Sequence, residues 1–448
     1  MTRRELLAMP VVAGLPRAAG DAVVRVSPRC RRYLELSDGS PYLPIGLNMV
    51  APREVDLDGF LGWMEKLGAQ GGNYARFWLS HPVWDLEPKR AGVYDEAHAA
   101  MVERALQVAK RQGIRVKMTI EHFRSTGGGP QPWADKALHN RAQGGTANDM
   151  EHWLANEESR AQFRGKIAWL ARRFGERPEI FGWELWNEIN AVRGKGYLEW
   201  TEAMLPVLHK AFPRQLCMQS LGSFDNDPKD GIYQRHSTMA GNDLALVHRY
   251  LDLGAKLEVC HGPVDVLAAD AVRTLLGYRP DRPVLLAESG GVEPKHTGPF
   301  RYYANDKQGT ILHDVLFAPF FAGAAGPGQI WHWDVYVAKN DLWWQFGRFA
   351  EFVKGLDCAA EEFEPSVETA GALRVYRLKG RRTTLWWVRD GRNDWRAELE
   401  RGEAPSQVTG AKLNARGRVR FYDPWTNQWS EGEAGRLPDF RRSLCVRT

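Results

Sequence analysis

Short apolar runs that end on a polar residue alternate along this chain with stretches whose apolar positions recur every three to four residues. The runs fall at 41–48, 72–78, 114–121, 181–190, 215–221, 243–250, 283–288 and 328–333. Runs this apolar suit strands buried on both faces, as in a parallel sheet wrapped by helices. The intervening stretches predict helices at 56–67, 96–112, within 151–174, and at 196–211, 264–276, within 302–317 and at 341–356. The first carries Leu61, Met64 and Leu67 at helical spacing, and the second stops at Gly113, a residue favoured just past a helix end. Eight strand units in one series predict an α/β fold of the (β/α)8 (TIM) barrel type. Two connections exceed what such units need, 123–150 with its Gly-rich stretch and Trp133, and 222–241, rich in Gly, Asp, Asn and Ser. Both follow odd-numbered strands at the expected active face, where long loops usually serve binding, although mobile surface insertions have the same composition.

Outside the series the pattern changes. Residues 21–40 alternate like a strand pair turning at Asp38-Gly39, a lid across the bottom of the barrel. After 357 the period shortens to strands at 373–378, 383–388, 418–422 and 443–447, with turns at Lys379-Gly380 and Asp423-Pro424. This predicts a C-terminal β-sandwich. Trp425 and Trp429 could bind carbohydrate there, but support of a small core is the more economical reading. The expected division is therefore 1–20 export signal, 21–40 strand pair, 41–357 barrel and 358–448 sandwich.

The chemistry concentrates where two runs end. Residues 181–190 read FGWELWNEIN, an aromatic strand stopping at Asn187-Glu188, and 283–288 read PVLLAE, stopping at Glu288 before Ser289-Gly290-Gly291. In a β/α barrel, catalytic groups gather at the C-terminal strand ends. Taken singly, Glu188 could simply be an acid at a helix N-terminus. Paired carboxylates are what glycoside hydrolysis requires, one to protonate the leaving oxygen and one to attack the anomeric carbon or activate water. The two glutamates lie 100 positions apart. At about thirty residues per βα unit, that is three units, the interval between strands four and seven.

Trp183-Glu184-Leu185-Trp186-Asn187-Glu188 at strand four, His248-Arg249-Tyr250 at strand six, Glu288 at strand seven, Trp331 at strand eight and Arg76 near the end of strand two resemble the retaining glycosidases of clan A, most closely glycoside hydrolase family 5. The resemblance covers about residues 40–357. Members often carry an aromatic residue and a glycine after the nucleophile, whereas Ser289 stands here, which leaves the subfamily open. The resemblance implies Glu188 as acid/base and Glu288 as nucleophile. It implies Asn187 as the partner of the sugar 2-hydroxyl, Arg76 as a cation lowering the Glu288 pKa, Tyr250 as a hydroxyl donor to Glu288, and His248 beside it. Trp331 is the expected platform for the sugar at the cleavage point, with Trp333 of the same parity as the alternative. Asn48 and His122, at the ends of strands one and three, are weaker binding candidates, with hydrogen bonding inside the core as an equal alternative. Glu121 and Glu184 read as buried, paired structural carboxylates. No metal or other cofactor is implied.

Composition narrows the partners. A net charge of +5 in 448 residues, without a long basic run, predicts no nucleic-acid partner. The 18 tryptophans fit an oligo- or polysaccharide substrate, since indole faces pack on the C–H faces of sugars. Met1–Gly20, with Arg3-Arg4, a short apolar stretch and small residues, resembles a twin-arginine export signal. A secreted or periplasmic location is expected, a cytoplasmic one being the alternative. No apolar run reaches the length of a membrane span, so no integral membrane anchor is expected. Five scattered cysteines without CxxC spacing imply neither a disulfide framework nor a zinc site. A β-linked gluco- or manno-configured glycan is the expected substrate. Another clan A specificity, such as β-galactosidase or exo-mannosidase, and a non-catalytic carbohydrate-binding barrel are the alternatives.

Overall fold

The computed structural model describes residues 20–123, 138–192, 194–226 and 231–448. The expected export signal, Trp133 and parts of both long connections lie outside these residues. Five strands, Gly46–Leu47, Tyr74–Trp78, Arg115–Glu121, Ile180–Trp186 and Leu216–Met218, form one parallel sheet in chain order. Ala245–His248 and Val284–Glu288 form a second parallel pair. The pair is tied to the sheet where the Asp243 amide donates to the Cys217 carbonyl at 3.0 Å. Ile330 makes parallel bridges to both Leu47 and Ser289, linking the first strand of the sheet to the end of the Val284–Glu288 strand of the pair. Every residue of the Arg115–Glu121, Ile180–Trp186 and Val284–Glu288 strands is buried, including the charged Arg115, Lys117, Glu121 and Glu184.

The helices form where the apolar period called for them. Glu96–Gln112 begins at Asp95, whose carboxylate accepts the His98 amide, and ends at Gly113 in the left-handed conformation, φ 71°. The predicted helix within 151–174 is two, Met150–Ala155 and Glu157–Phe174, because Asn156 is extended and caps the second. Thr310–Phe321 is buried along its whole length. A helix apolar all round must be covered on all sides. Here the parallel layer covers one side and the C-terminal sheet the other, with Phe317 and Phe321 both against Trp387.

That C-terminal layer is a six-stranded antiparallel sheet that includes Leu373–Lys379, Thr384–Asp390, Arg418–Asp423 and Ser443–Arg447, with a two-stranded pair, Gln407–Val408 and Phe440–Arg441, against it. Alternation of side chains decides which core each residue joins. Val375, Trp386, Leu444 and Val446 face the small pair, while Tyr376, Trp387 and Cys445 face the helices of the parallel layer. Buried ion pairs fix the docking: Arg389 on Asp314 at 2.7 and 3.1 Å, and Arg374 on Asp265 at 2.6 and 2.8 Å. Planar guanidinium-to-carboxylate contacts of this kind set an angle as well as a distance. Trp425, held by Ser443 at 3.0 Å within the sheet, packs on His313 at 4.4 Å between ring centroids, and Trp429 donates to Glu351 at 3.2 Å, so both indoles serve this docking.

Two expectations need correction. The 21–40 segment together with Pro41–Tyr42 makes three strands, Val24–Val26, Leu34–Leu36 and Pro41–Tyr42, and the Asp38-Gly39 turn joins the last two. The predicted strand at 328–333 shrinks to the Ile330 bridges, because the chain turns into a π-helix at Trp333–Ala338. Among the described residues no helix is long and apolar enough to cross a membrane.

Candidate functional site

A cavity of about 560 Å³ opens at the C-terminal ends of the parallel strands, within the size range of small-molecule sites. Its walls include Trp78, Asn187, Glu188, Tyr250, Glu288 and Trp331. Glu188 follows the Ile180–Trp186 strand in the left-handed conformation, φ 50° and ψ 53°. A non-glycine residue in that region is strained, and the strain must be held by its surroundings. Here the Glu188 amide donates to Ser220 at 3.1 Å, and the Asn187 amide to the Glu121 carbonyl at 2.7 Å. The turn lifts the Glu188 side chain, 14% exposed, to the cavity.

Glu288 closes its own strand. Its Oε2 accepts the Tyr250 hydroxyl at 2.7 Å, and its Oε1 pairs with Arg76. Arg76 is fully buried and serves several acceptors at once: Glu184 at 2.6 and 3.0 Å, Asn187 Oδ1 at 2.6 Å, and Thr119 at 3.0 Å. By holding Oδ1 it turns the Asn187 amide nitrogen outward. That nitrogen has no protein partner among the described residues, so a donor stands ready for a bound hydroxyl. Beneath, Glu184 also accepts Thr119 at 2.6 Å and lies 3.6 Å from Lys117. Burial pushes its pKa up, but Arg76 and Lys117 prevail and hold it down at about 2. Glu184 is thus a permanent anion that keeps the cation under the site in place, and Glu121 is likewise paired, with Lys166. Breaking a buried arrangement of this kind by removing one partner typically costs 3–5 kcal/mol, since the other charge is left uncompensated.

The two cavity carboxylates are electrostatically unequal. Burial, and then the neighbouring Glu288 charge, push the Glu188 pKa well above its usual value. Burial also raises that of Glu288, against Arg76 and the Tyr250 hydroxyl, which both favour its anion. The expected net lowering by Arg76 is therefore not found, because burial outweighs a guanidinium already divided among Glu184, Asn187 and Thr119. The ordering survives: the proton shared by the pair rests on Glu188, and Glu288 is the anion. His248 sits between them, its Nδ1 2.7 Å from Glu188 Oε1 and 3.4 Å from Glu288 Oε2. Burial, Arg76 and Lys117 hold its pKa well below 6.5, so the ring is neutral. Its Nε2 is buried without a partner among the described residues. A buried lone pair is tolerated better than a buried orphan N–H, which assigns the proton to Nδ1, donating to Glu188.

The remaining sequence candidates separate. Trp331 lines the cavity, with Trp78 at 5.0 Å between ring centroids. Trp333 is fully buried under the Arg53 guanidinium, 4.6 Å from its ring, because strand parity ends where the π-helix begins. Asn48 is no binding residue. Its amide nitrogen is spent on the carbonyls of Ala287, Gln329 and Ile330, where it ties the bridged strand ends together. His122 is buried, bonded to Ser80 at 2.6 Å and stacked on Trp78, so it props the wall instead of lining it. Sequence reasoning missed Trp78, Arg53, Asp225 and His296, which all line the cavity. The signal for Trp78 was present, since it is the aromatic end of the second predicted run. The others come from connections that have no periodicity.

Three clusters among the described residues bring metal-ligating atoms within 4.8 Å of one another: Glu188/His248/Glu288, His209/Cys217/Asp243 and Asp225/Asp252/His296. The first has the Arg76 guanidinium against Glu288, which opposes a second cation. In the second, Asp243 Oδ2 already accepts the Cys217 amide at 2.7 Å, and burial pushes the Cys217 thiol far from its thiolate. Only the third is free of such an obstacle.

A protonated carboxyl and a carboxylate therefore face one cavity, beside an amide donor and two indole faces. No family model matches the chain. A mannan endo-1,4-β-mannosidase of Arabidopsis thaliana is 22% identical over 275 residues, 54% of this chain; the match spans 64% of that enzyme, less than two thirds of its length. Among solved structures, a glycoside hydrolase superposes with a TM-score of 0.63 at 12% identity, covering 95% of this chain and 96% of that one. A family 5 glycoside hydrolase from Bacteroides vulgatus gives 0.60 at 14% identity, over 96% and 93%. The endo-β-1,4-mannanase of Thermotoga petrophila gives 0.52 at 13%, over 91% and 98%. The resemblance to glycoside hydrolase family 5 read from the sequence thus holds for the fold over nearly the whole chain.

Proposed function

We propose that this protein is a retaining β-glycosidase of the family 5 type, acting on a β-linked manno- or gluco-configured glycan. In this reading the parallel strands close into a (β/α)8 barrel through Ile330, and residues 358–448 form an accessory domain that supports it. The observation that carries the proposal is the spacing of the two carboxylates. One carboxylate oxygen of Glu188 lies within 4.8 Å of one of Glu288. Carboxyl groups about 5–5.5 Å apart leave room for direct attack, whereas inverting enzymes need about 6.5–9.5 Å to admit a water between carboxylate and sugar.

The steps follow from the residues. Glu288 attacks the anomeric carbon while Glu188 gives its proton to the departing glycosidic oxygen, leaving a glycosyl ester on Glu288. Glu188, now an anion, takes a proton from water as that water attacks the same carbon. The ester bond breaks, Glu288 is restored as carboxylate, and Glu188 is again protonated. The Asn187 amide nitrogen donates to the 2-hydroxyl, a contact that strengthens as the ring approaches an oxocarbenium ion. Trp331 and Trp78 offer flat apolar faces to the sugar. The manno-configured choice draws on the mannanases among the relatives, and the export-like leader would place the enzyme outside the cytoplasm.

The test is hydrolysis of β-mannan, β-1,4-mannooligosaccharides, β-glucans and aryl β-mannosides and β-glucosides by the purified protein. Release of reducing sugar from at least one manno- or gluco-configured member is expected. Sugar binding without turnover on any member would instead support a non-catalytic carbohydrate-binding role.

A further inference from the structure

A second polar cluster stands on the wall of the same cavity and has no part in the chemistry above. Asp225, Asp252 and His296 come from three separate connections, those after Leu216–Met218, Ala245–His248 and Val284–Glu288. His296 Nε2 lies 3.6 Å from Asp225 Oδ2 and 3.6 Å from Asp252 Oδ2. Both separations are too long for hydrogen bonds. Asp252 is 1% exposed, and its Oδ2 has no hydrogen-bond partner although it is aimed at the cluster. A buried carboxylate oxygen left so is costly unless something else satisfies it. Its other oxygen is locked by the amides of Gly254 at 2.7 Å and Lys295 at 3.0 Å. The backbone is strained to bring the imidazole in, with Lys295 and His296 both left-handed at φ 61° and 57°.

We propose that Asp225, Asp252 and His296 form a divalent-cation site of the zinc class. Ligand atoms about 2.0–2.1 Å from a tetrahedral ion lie about 3.3–3.4 Å from one another, close to the separations around His296. Imidazole in the donor set favours zinc over calcium, magnesium and manganese, which suit oxygen donors. The two amides on Asp252 Oδ1 are the outer contacts that orient a ligating carboxylate. Asp225 and His296 also line the cavity, as do Asn190, Ala191 and Gly222 around the turn that carries Glu188. The departing sugar lies on the side of its proton donor. An ion there, with a position open to the cavity, would take sugar hydroxyls of the leaving part as further ligands. This last role rests on the proposed function; the site itself does not.

The test is calorimetric titration of the metal-stripped full-length protein with zinc, manganese and calcium chlorides. The variants Asp252→Asn and His296→Asn run beside it, the latter because asparagine tolerates the left-handed backbone. One zinc per chain is expected, bound at least about tenfold more weakly by either variant, with no calcium binding of comparable strength. Glu288→Ala should bind zinc as the wild type does. Zinc lost in Glu288→Ala but kept in Asp252→Asn would overturn the assignment, as would an absence of zinc binding by wild-type protein. Circular dichroism of both ligand variants separates loss of the site from loss of the fold. Failure of hydrolysis would leave this result untouched.

Discussion

Glu288→Ala should lower kcat on every substrate the wild type hydrolyses by at least about 10⁴-fold, with little change in stability. The size follows from the role. Without that carboxylate no covalent glycosyl bond can form, and the remaining residues bind the sugar without providing a nucleophile. The mild structural effect follows from Arg76. Its charge keeps Glu184 as a partner at 2.6 Å, Asn187 and Thr119 keep Nη2 and Nε occupied, and the Nη1 released by the deletion retains Asn48 Oδ1 at 3.4 Å. The deletion leaves a cavity beside a paired cation, not an orphaned charge. Added azide would enter that space and attack the anomeric carbon from the side the carboxylate occupied. The product expected from a β-glycoside with a good leaving group is the α-glycosyl azide, identified by proton NMR. Undiminished turnover in Glu288→Ala would remove Glu288 from the mechanism.

Glu188→Ala should behave differently, and the difference is diagnostic. The expected loss is about 10²–10⁴-fold on natural glycans, whose leaving oxygen needs a proton. On aryl glycosides with an acidic phenol the first step should survive, so that the glycosyl-enzyme accumulates and a burst of phenol precedes slow turnover. The pH profile should change as well. Glu188 works as the acid only while protonated, and burial and Glu288 hold its pKa well above the usual carboxylate range. Wild-type kcat/KM therefore falls as pH rises through that raised pKa, and this alkaline limb should be missing from the variant. A limb that persists in Glu188→Ala would assign it to another group. Lys117, which burial and Arg76 bring down to about 8, is the nearby group to examine then.

Much of this arrangement was legible in the amino-acid sequence, for reasons that particular residues make plain. The Glu96–Gln112 helix was readable to the residue, because Asp95 and Gly113 are local signals that need no tertiary partner. The strands ending at Trp186 and Glu288 were readable because a strand buried on both faces is mostly apolar until it reaches the mouth of the sheet, Glu184 being buried as the partner of Arg76. Arg76 fits no other strand environment than one with buried carboxylates, and it has two. What stayed hidden depends on contacts distant in the chain. Parity left Trp333 standing as the alternative to Trp331, and only the π-helix after Trp331 sends the second into the core. Asn48 looked like a binding residue because its chain position says nothing of the three carbonyls it meets. The upward shift at Glu288 reflects its burial, which Arg76 and the Tyr250 hydroxyl oppose without overcoming, a property of the packed site. The order of the six-stranded sheet, in which Ser443–Arg447 enters between Thr384–Asp390 and Arg418–Asp423, is equally non-local. Asp225, Asp252 and His296 meet from three connections, and no periodicity links them.

The most direct test of the double-displacement reading is capture of its intermediate. The protein would be incubated with the 2-deoxy-2-fluoro-β-glycosyl fluoride of whichever sugar it hydrolyses best. Fluorine at C2 slows both steps by destabilising the oxocarbenium-like transition state, while the fluoride leaving group keeps the first step feasible. Peptide mass spectrometry should then find one fluorosugar attached to Glu288 and none in Glu288→Ala. Attachment to a different residue, or turnover of the sugar without any covalent adduct in the wild type, would contradict Glu288 as the nucleophile of a retaining glycosidase.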